Sequence, residues 1–446
     1  MSAGHHYHYP TRQEFPQLLA KMEPSKTLRT ALLAMVVIGF GTFVFGAATG
    51  NARAWHALHF NWLYFASVAT AAIAFVAVQR LTTARWSRPV VRIHEAHVAV
   101  IPVYFLILLL ILFVGKPHIF TWAGREAITV AEKAAYLDPT FFLLRGVVLF
   151  GAITLLSLWY VWTSVRLDVN ILPESGASWA AGLRARMRAG WLGDERRELH
   201  NTHSLQGKLA VAVCIAFVVG WCFMAWDYSM TLSLHFQQTM YAWIVFMTGF
   251  NNQIMWLGLA AWYWQSKLGD DHLITPVHFH DIGKLSFALT AFIGYISFSQ
   301  YLVIWYGNLP EETHFYNLRF SEPWKSITVL LPFMGFLIPF VGLLSKAVKQ
   351  FRPAYTVLAL TSITGVWLHR YIETYPSIYG DTVTSIPFGL WEIAVAVGFL
   401  GLWGTCYFAF LDAFPKMRVF MMTSKYKDEV QVPVDPRTME PLPAHE

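Results

Sequence analysis

Three observations predict an all-α integral membrane protein of about ten transmembrane helices, arranged as two four-helix bundles plus two flanking helices. The 446 residues are 56% hydrophobic and 13% charged, with mean hydropathy +0.43, a composition of polytopic membrane proteins rather than water-soluble domains. Apolar runs of spanning length recur along the chain with polar loops between them. Lysine and arginine concentrate in alternate loops, which is how membrane topology is encoded.

The runs fall at about 28–49, 58–79, 97–115, 140–165, 207–226, 236–264, 285–306, 325–345, 353–372 and 388–411. The first ends in Gly46 and Gly50, a small-xxx-small pair suited to close packing. The fourth and sixth are long enough to tilt or to extend beyond the bilayer. The seventh, Leu285 to Tyr306, spans roughly 33 Å at 1.5 Å per residue, enough for a hydrocarbon core of about 30 Å. Along it Ser286, Thr290, Gly294, Ser297 and Tyr301 recur at three- and four-residue spacing with Gln300 beside them, so one face turns to protein or water. The eighth carries Pro332 and Pro339, which should kink it.

The N-terminal tail, the loops after the second, fourth, sixth and eighth runs, and the C-terminal tail hold 25 of the 33 lysines and arginines, counting Arg29 and Lys208 at helix mouths with them. The other five loops hold 6, counting Lys325 likewise, and Arg145 and Arg370 lie within helices. Both termini are therefore expected in the cytoplasm. Residues 1–27 and 413–446 read as cytoplasmic tails around a transmembrane domain, 28–412. The proline-rich C-terminal tail should be ordered only where a partner holds it. The first run is expected to be a retained anchor, because a long polar segment precedes it. His5, His6 and His8 read as part of a disordered polar tail, and Arg166–Gln206 as a solvated loop facing lipid headgroups.

The composition also excludes functions. The basic residues sit in loops as topology signals, so nucleic-acid binding is excluded. Cys214, Cys222 and Cys406 lie inside apolar runs without C-x-x-C spacing and provide neither a disulfide framework nor cluster ligands. A bis-histidine haem needs two imidazoles at one depth, and only His369 lies clearly within a helix interior on the outer half. The expectation is no intrinsic cofactor and no metal; His278-x-His280-Asp281 lacks a further ligand at recognisable spacing.

A short internal echo supports the two bundles. Arg92–His97 reads RIHEAH before the third run and His278–Gly283 reads HFHDIG before the seventh. Helices two to five and six to nine would then form similar bundles, flanked by the first and tenth.

Ionisable groups within or at the mouths of membrane helices are costly, which makes them functional candidates. On the outer side these are Arg145, Asp227, His369, Arg370, Glu373 and Glu392, with Asp138, His235 and Gln300 nearby. They read either as one connected cavity wall that could hold quinol or as ion pairs joining helices. The inner set is His94, Glu95, His97, His278, His280, Asp281, Lys284 and Asp412. His97, His280 and Asp281 are candidate proton-entry groups, with Asn251, Asn252, Thr290 and Ser297 as hydrogen-bonding steps further in.

The tract Trp305-Tyr306-Gly307-Asn308-Leu309-Pro310-Glu311-Glu312-Thr313, the polar helix before it, and Trp226-Asp227-Tyr228-Ser229-Met230 resemble the membrane subunits of alternative complex III. That bacterial quinol:electron acceptor oxidoreductase uses subunits of the NrfD/polysulfide-reductase membrane family. Length and the basic cytoplasmic loop favour its ActF-like branch over the ActC-like one. The resemblance implies a multi-pass protein of the bacterial inner membrane that contributes to quinol and proton handling and to assembly. It implies iron–sulfur and multihaem cytochrome c partner subunits, a homologous ActC-like membrane subunit that meets quinol at the outer face, and membrane lipid around them. Haem and iron–sulfur centres would belong to those partners, and the chain would not be catalytic alone. A stand-alone secondary transporter is the alternative that the two-bundle echo also fits.

Overall fold

The computed structural model describes residues 10–123, 131–269, 273–427 and 429–430; His5, His6 and His8 lie outside them. Each of the ten apolar runs coincides with a long helical segment: α1 Lys26–Ala48, α2 Ala52–Leu81, α3 Val91–Ile119, α4 Pro139–Ile171, α5 Glu195–Leu232, α6 Thr239–Leu268, α7 Pro276–Gly307, α8 Lys325–Gly342, α9 Arg352–Tyr379 and α10 Leu390–Ala413. Eight are long and apolar enough to cross a membrane; α6 and α9 match them in length but are more polar. No strand occurs among the described residues. The protein is an all-α, multi-pass membrane protein.

Helices α2, α3, α4 and α5 pack in a ring, and α6, α7, α8 and α9 pack in a second ring. The rings meet where α2 touches α6 and α9 and where α5 touches α6. Such a central position requires small side chains, and α2 supplies them: Ala66, Ser67, Ala69, Ala71, Ala72 and Ala74 are all buried. At the opposite extreme α8 has almost no fully buried residue, Pro339 alone, as suits a helix with one face turned to lipid or another chain.

Helices α1 and α10 pack on each other, and α10 rests on α2. A Cβ on Gly39 would overlap the backbone of Gly398, so at this crossing the two backbones touch. The pair read from the sequence works differently: Gly46 packs against Trp391 and Ala54, whereas Gly50 has open space and a φ of +74° that ends the helix. In α8 the irregularity expected from Pro332 and Pro339 is a π-helical turn, Phe333–Leu337.

Arg29 at the start of α1 pairs with Asp412 at the end of α10, its Nη2 lying 2.8 Å from Oδ1. Both termini therefore leave from the same end of the bundle, here the terminal end; the opposite end is the far end.

The described parts of both tails and the long loop pack as part of the fold. Phe15 and Met22 are buried, and Phe15–Lys21 is helical. After α10 the chain turns back: Met417, Val419 and Phe420 are buried, Val419–Thr423 is helical, and the Phe420 N–H donates to Asp168 Oδ1 at 2.7 Å. Residues 413–427 thus pack without a partner chain. Between α4 and α5 a short helix, Ala181–Arg188, is fastened by Arg184, which donates to Glu174 Oε1 at 2.7 Å and to the Ala177 and Ala413 carbonyls at 2.9 Å. Hydropathy registers only the bilayer-crossing part of a helix, which is why α4 and α5 were read short. Their true starts are set by Asp138 and Asp194, whose carboxylates cap the following N–H groups.

Candidate functional site

The far-end charges do not form one wall. The buried ones lie in three groups, built on Asp227, Glu373 and Glu392, each with its own arginine. In the first, Asp227 near the end of α5 receives Arg145 Nε and Nη2, both at 2.7 Å, and the Tyr136 hydroxyl at 2.7 Å. Asp227 is fully buried. The Arg145 guanidinium lies 3.9 Å from the Tyr136 ring centre, so the cation is covered by aromatic carbon as well as paired. Burial, then the neighbouring carboxylate, pushes the Tyr136 phenol upward from its ordinary range.

Helix α9 separates the other two groups. At 100° per residue, Arg370, Glu373 and Ser377 share one face, and Tyr371, Tyr375 and Tyr379 the opposite one. On the first face Arg370 pairs with Glu373, and its Nη2 donates to the Val245 carbonyl of α6 at 2.8 Å and to Thr248 Oγ1. His369 Nδ1 stands 3.6 Å from Glu373. Gln300 is buried on α7, and His235 is exposed.

On the second face Glu392, fully buried in the first turn of α10, receives Arg53 Nε and Nη2 at 2.7 Å, the Tyr375 hydroxyl at 2.8 Å and the Gly389 N–H at 2.8 Å. Beside it His56 Nε2 faces the His118 carbonyl at 2.9 Å, and Nδ1 faces the Tyr379 hydroxyl at 2.9 Å. A carbonyl only accepts, so Nε2 carries the hydrogen and Nδ1 accepts from Tyr379. The result is two hydrogen-bonded pairs side by side, Glu392 with Tyr375 and His56 with Tyr379, joined by the stacked rings of Tyr375 and Tyr379, with Trp55 stacked on His118 and Tyr371 tilted against Tyr375. Arg53 and His56 were missed because the apolar run begins at position 58; the signal was Asn51, a helix-capping residue that accepts from the Arg53 N–H and starts α2 early.

Arg319 was missed as well, and its signal is Pro376. Proline has no N–H, so inside α9 it leaves the Ile372 carbonyl without its helical donor. Arg319, on the helix Pro310–Phe320, donates Nε to that carbonyl at 3.0 Å, and Nη2 to the Glu373 carbonyl and to Ser377 Oγ, both at 2.8 Å. The guanidinium stacks on Phe315 and is buried, which lowers its pKa to about 10. Arg319→Met is expected to cost about 1–3 kcal/mol for the buried acceptors left unpaired. The loss should shrink in a Pro376→Ala background, where an N–H returns to α9; thermal midpoints of the four proteins measure both effects.

At the terminal end Arg92 bridges Glu95 and Asp168, all three buried, and so ties α3 to α4. Arg418 adds a contact to Glu95 at 3.6 Å and donates to Ser164 Oγ at 3.0 Å. His94 is buried against Phe75, and His97 against Trp403 and Tyr407.

The expected proton path is brought together only in part. Asn251 Nδ2 meets Thr290 Oγ1 at 3.3 Å, while Asn252 accepts from Tyr64 at 3.0 Å and its amide faces Ser362 at 3.4 Å. Thr290 and Ser297 share a face of α7, but Asp281 lies on the opposite face and pairs with Lys284 at 2.7 Å. His280 is half-buried beside it, whereas His278 is buried and caps α7 through Thr275. His97 stands elsewhere, against α10. Entry groups and interior steps are therefore not in line. Among the described residues no group of three or more His, Cys, Asp or Glu could hold a metal ion.

No protein-family model matches this chain, and no curated protein matches it.

Proposed function

We propose that the chain is an integral membrane subunit of a quinol:electron acceptor oxidoreductase of the alternative complex III type, an ActF-like member of the NrfD/polysulfide-reductase membrane family. Its part is to handle quinol and protons and to hold partner subunits, not to carry electrons. The observation that carries this reading is the Glu392–Tyr375 and His56–Tyr379 array at the far end. Quinol oxidation releases two protons, and groups able to receive them must stand at an aromatic-walled site. A neutral imidazole accepting from a phenol, next to a carboxylate, meets that need. We further propose that the far end is the outer face and that both termini are cytoplasmic in a bacterial inner membrane, in line with the lysine and arginine distribution.

The Trp305–Thr313 tract supports the subunit role. Asn308, at a φ of 48°, ends α7 and turns the chain into Pro310–Phe320, leaving Trp305, Tyr306 and Leu309 exposed at the far end beside Glu311 and Glu312. An aromatic, acid-bordered rim there suits docking of iron–sulfur and cytochrome subunits, which would bring the haem and clusters that three scattered cysteines cannot provide.

Purification in mild detergent tests the reading. Haem absorbance should co-migrate with the chain, and His56→Phe should slow quinol turnover about a hundredfold with the complex intact, the usual scale for losing a positioned base. A colourless lone protein that moves solute would instead establish the transporter alternative.

A further inference from the structure

The terminal end holds a second polar site, independent of the far-end array. The last turn of α2, the turn that follows it, α5 and the returning C-terminal segment enclose a cavity of about 50 Å³. Arg80, Arg88, Arg418 and His203 line it, and no carboxylate is among its lining residues. Gln79 and Ser87 also line it. Gln79 is 6% exposed, and neither its amide nitrogen nor its amide oxygen has a hydrogen-bond partner; the Ser87 hydroxyl is buried without one as well. Arg80 spends Nη2 on the His203 carbonyl at 2.7 Å, but its Nε is buried and unpartnered. Arg418 touches Glu95 from the other side at 3.6 Å.

Buried polar groups of this kind are normally satisfied, because an orphan keeps the full penalty of leaving water. What would satisfy the donors among them, the Gln79 amide nitrogen, the Ser87 hydroxyl and Arg80 Nε, is a small, negatively charged group rich in acceptor oxygens. The space admits a tetrahedral oxyanion but no ring system. Its depth fits too: α2 has 30 residues, more than the about 20 that cross a bilayer core, so its last turn stands at headgroup level. We propose that this cavity binds a phosphate oxyanion, with Arg80 as its principal cation and Gln79 and Ser87 as donors. Two sources share that chemistry: the phosphodiester of an anionic lipid entering between the helices, and free inorganic phosphate.

The test uses the full chain, with whatever subunits co-purify, in phosphatidylcholine nanodiscs. Thermal midpoint is followed as inorganic phosphate is titrated, and separately with phosphatidylglycerol included in the disc, since a ligand of the folded state raises the midpoint. A rise with phosphatidylglycerol but not with phosphate assigns a lipid; a rise with phosphate assigns the free anion. In either arm Arg80→Gln should weaken the apparent affinity about tenfold, the scale of one charge-assisted hydrogen bond. Gln79→Leu keeps every charge and carries the test if Arg80→Gln does not fold; it should blunt the same shift. No rise with either additive, or equal rises in the wild type and in the folded variants, overturns the proposal.

Discussion

Asp227→Ala is expected to remove most folded protein from detergent extracts. The substitution leaves the Arg145 guanidinium, 7% exposed, without a counter-charge, a cost of about 3–5 kcal/mol. Typical domain stability is only about 5–15 kcal/mol. The Tyr136 hydroxyl loses its acceptor in the same step. Asp227→Asn keeps the shape but not the charge and should fall between. The decisive variant is Asp227→Ala combined with Arg145→Met, which removes both charges and should recover much of the lost monodisperse peak in size-exclusion chromatography. If the double variant is no better than Asp227→Ala, the pair is not what holds α4 to α5. If Asp227→Ala folds normally yet quinol turnover collapses, the first group is functional rather than structural.

Arg92→Met should be at least as severe, because one guanidinium pairs with two buried carboxylates, Glu95 and Asp168. Its loss leaves Glu95 with only the longer Arg418 contact and Asp168 with the Phe420 N–H in place of a paired cation, again a cost of about 3–5 kcal/mol. Arg92→Lys should rescue little: an ammonium is a point charge and cannot span two carboxylates as a planar fork does. Thermal midpoints and yields of the two variants, compared with Arg92→Met plus Glu95→Gln and Asp168→Asn, separate lost pairing from lost packing. Equal midpoints for Arg92→Lys and the wild type would show that geometry is unimportant there.

Apolar periodicity made the helices legible, because a bilayer imposes one length and one polarity on every crossing segment. The two-ring arrangement was legible in outline from the echo between Arg92–His97 and His278–Gly283. The site was legible only as a list. Asp227, Arg370, Glu373 and Glu392 stand out because charge is rare in such helices, yet their grouping depends on partners far away in the chain, such as Arg53, which is 339 residues from Glu392. The split across α9 could have been read from spacing alone: positions 370, 373 and 377 oppose 371, 375 and 379. Asp281 and Thr290 could have been assigned to opposite faces of α7 in the same way. The folded parts of the tails were hidden for another reason, since Phe15 and Met417 are isolated apolar residues and Val419–Met422 is an apolar stretch of only four, too short to form a periodic run.

The return of the chain onto Asp168 has a consequence for biogenesis. Arg92 and Asp168 are synthesised early, whereas Phe420, whose N–H completes the Asp168 shell, emerges from the ribosome 252 residues later. Until then the first bundle sits in the membrane with its terminal-end charges incompletely covered. Insertion of the later helices thus precedes the final closure of the earliest bundle, which waits until residues 417–423 have themselves been synthesised.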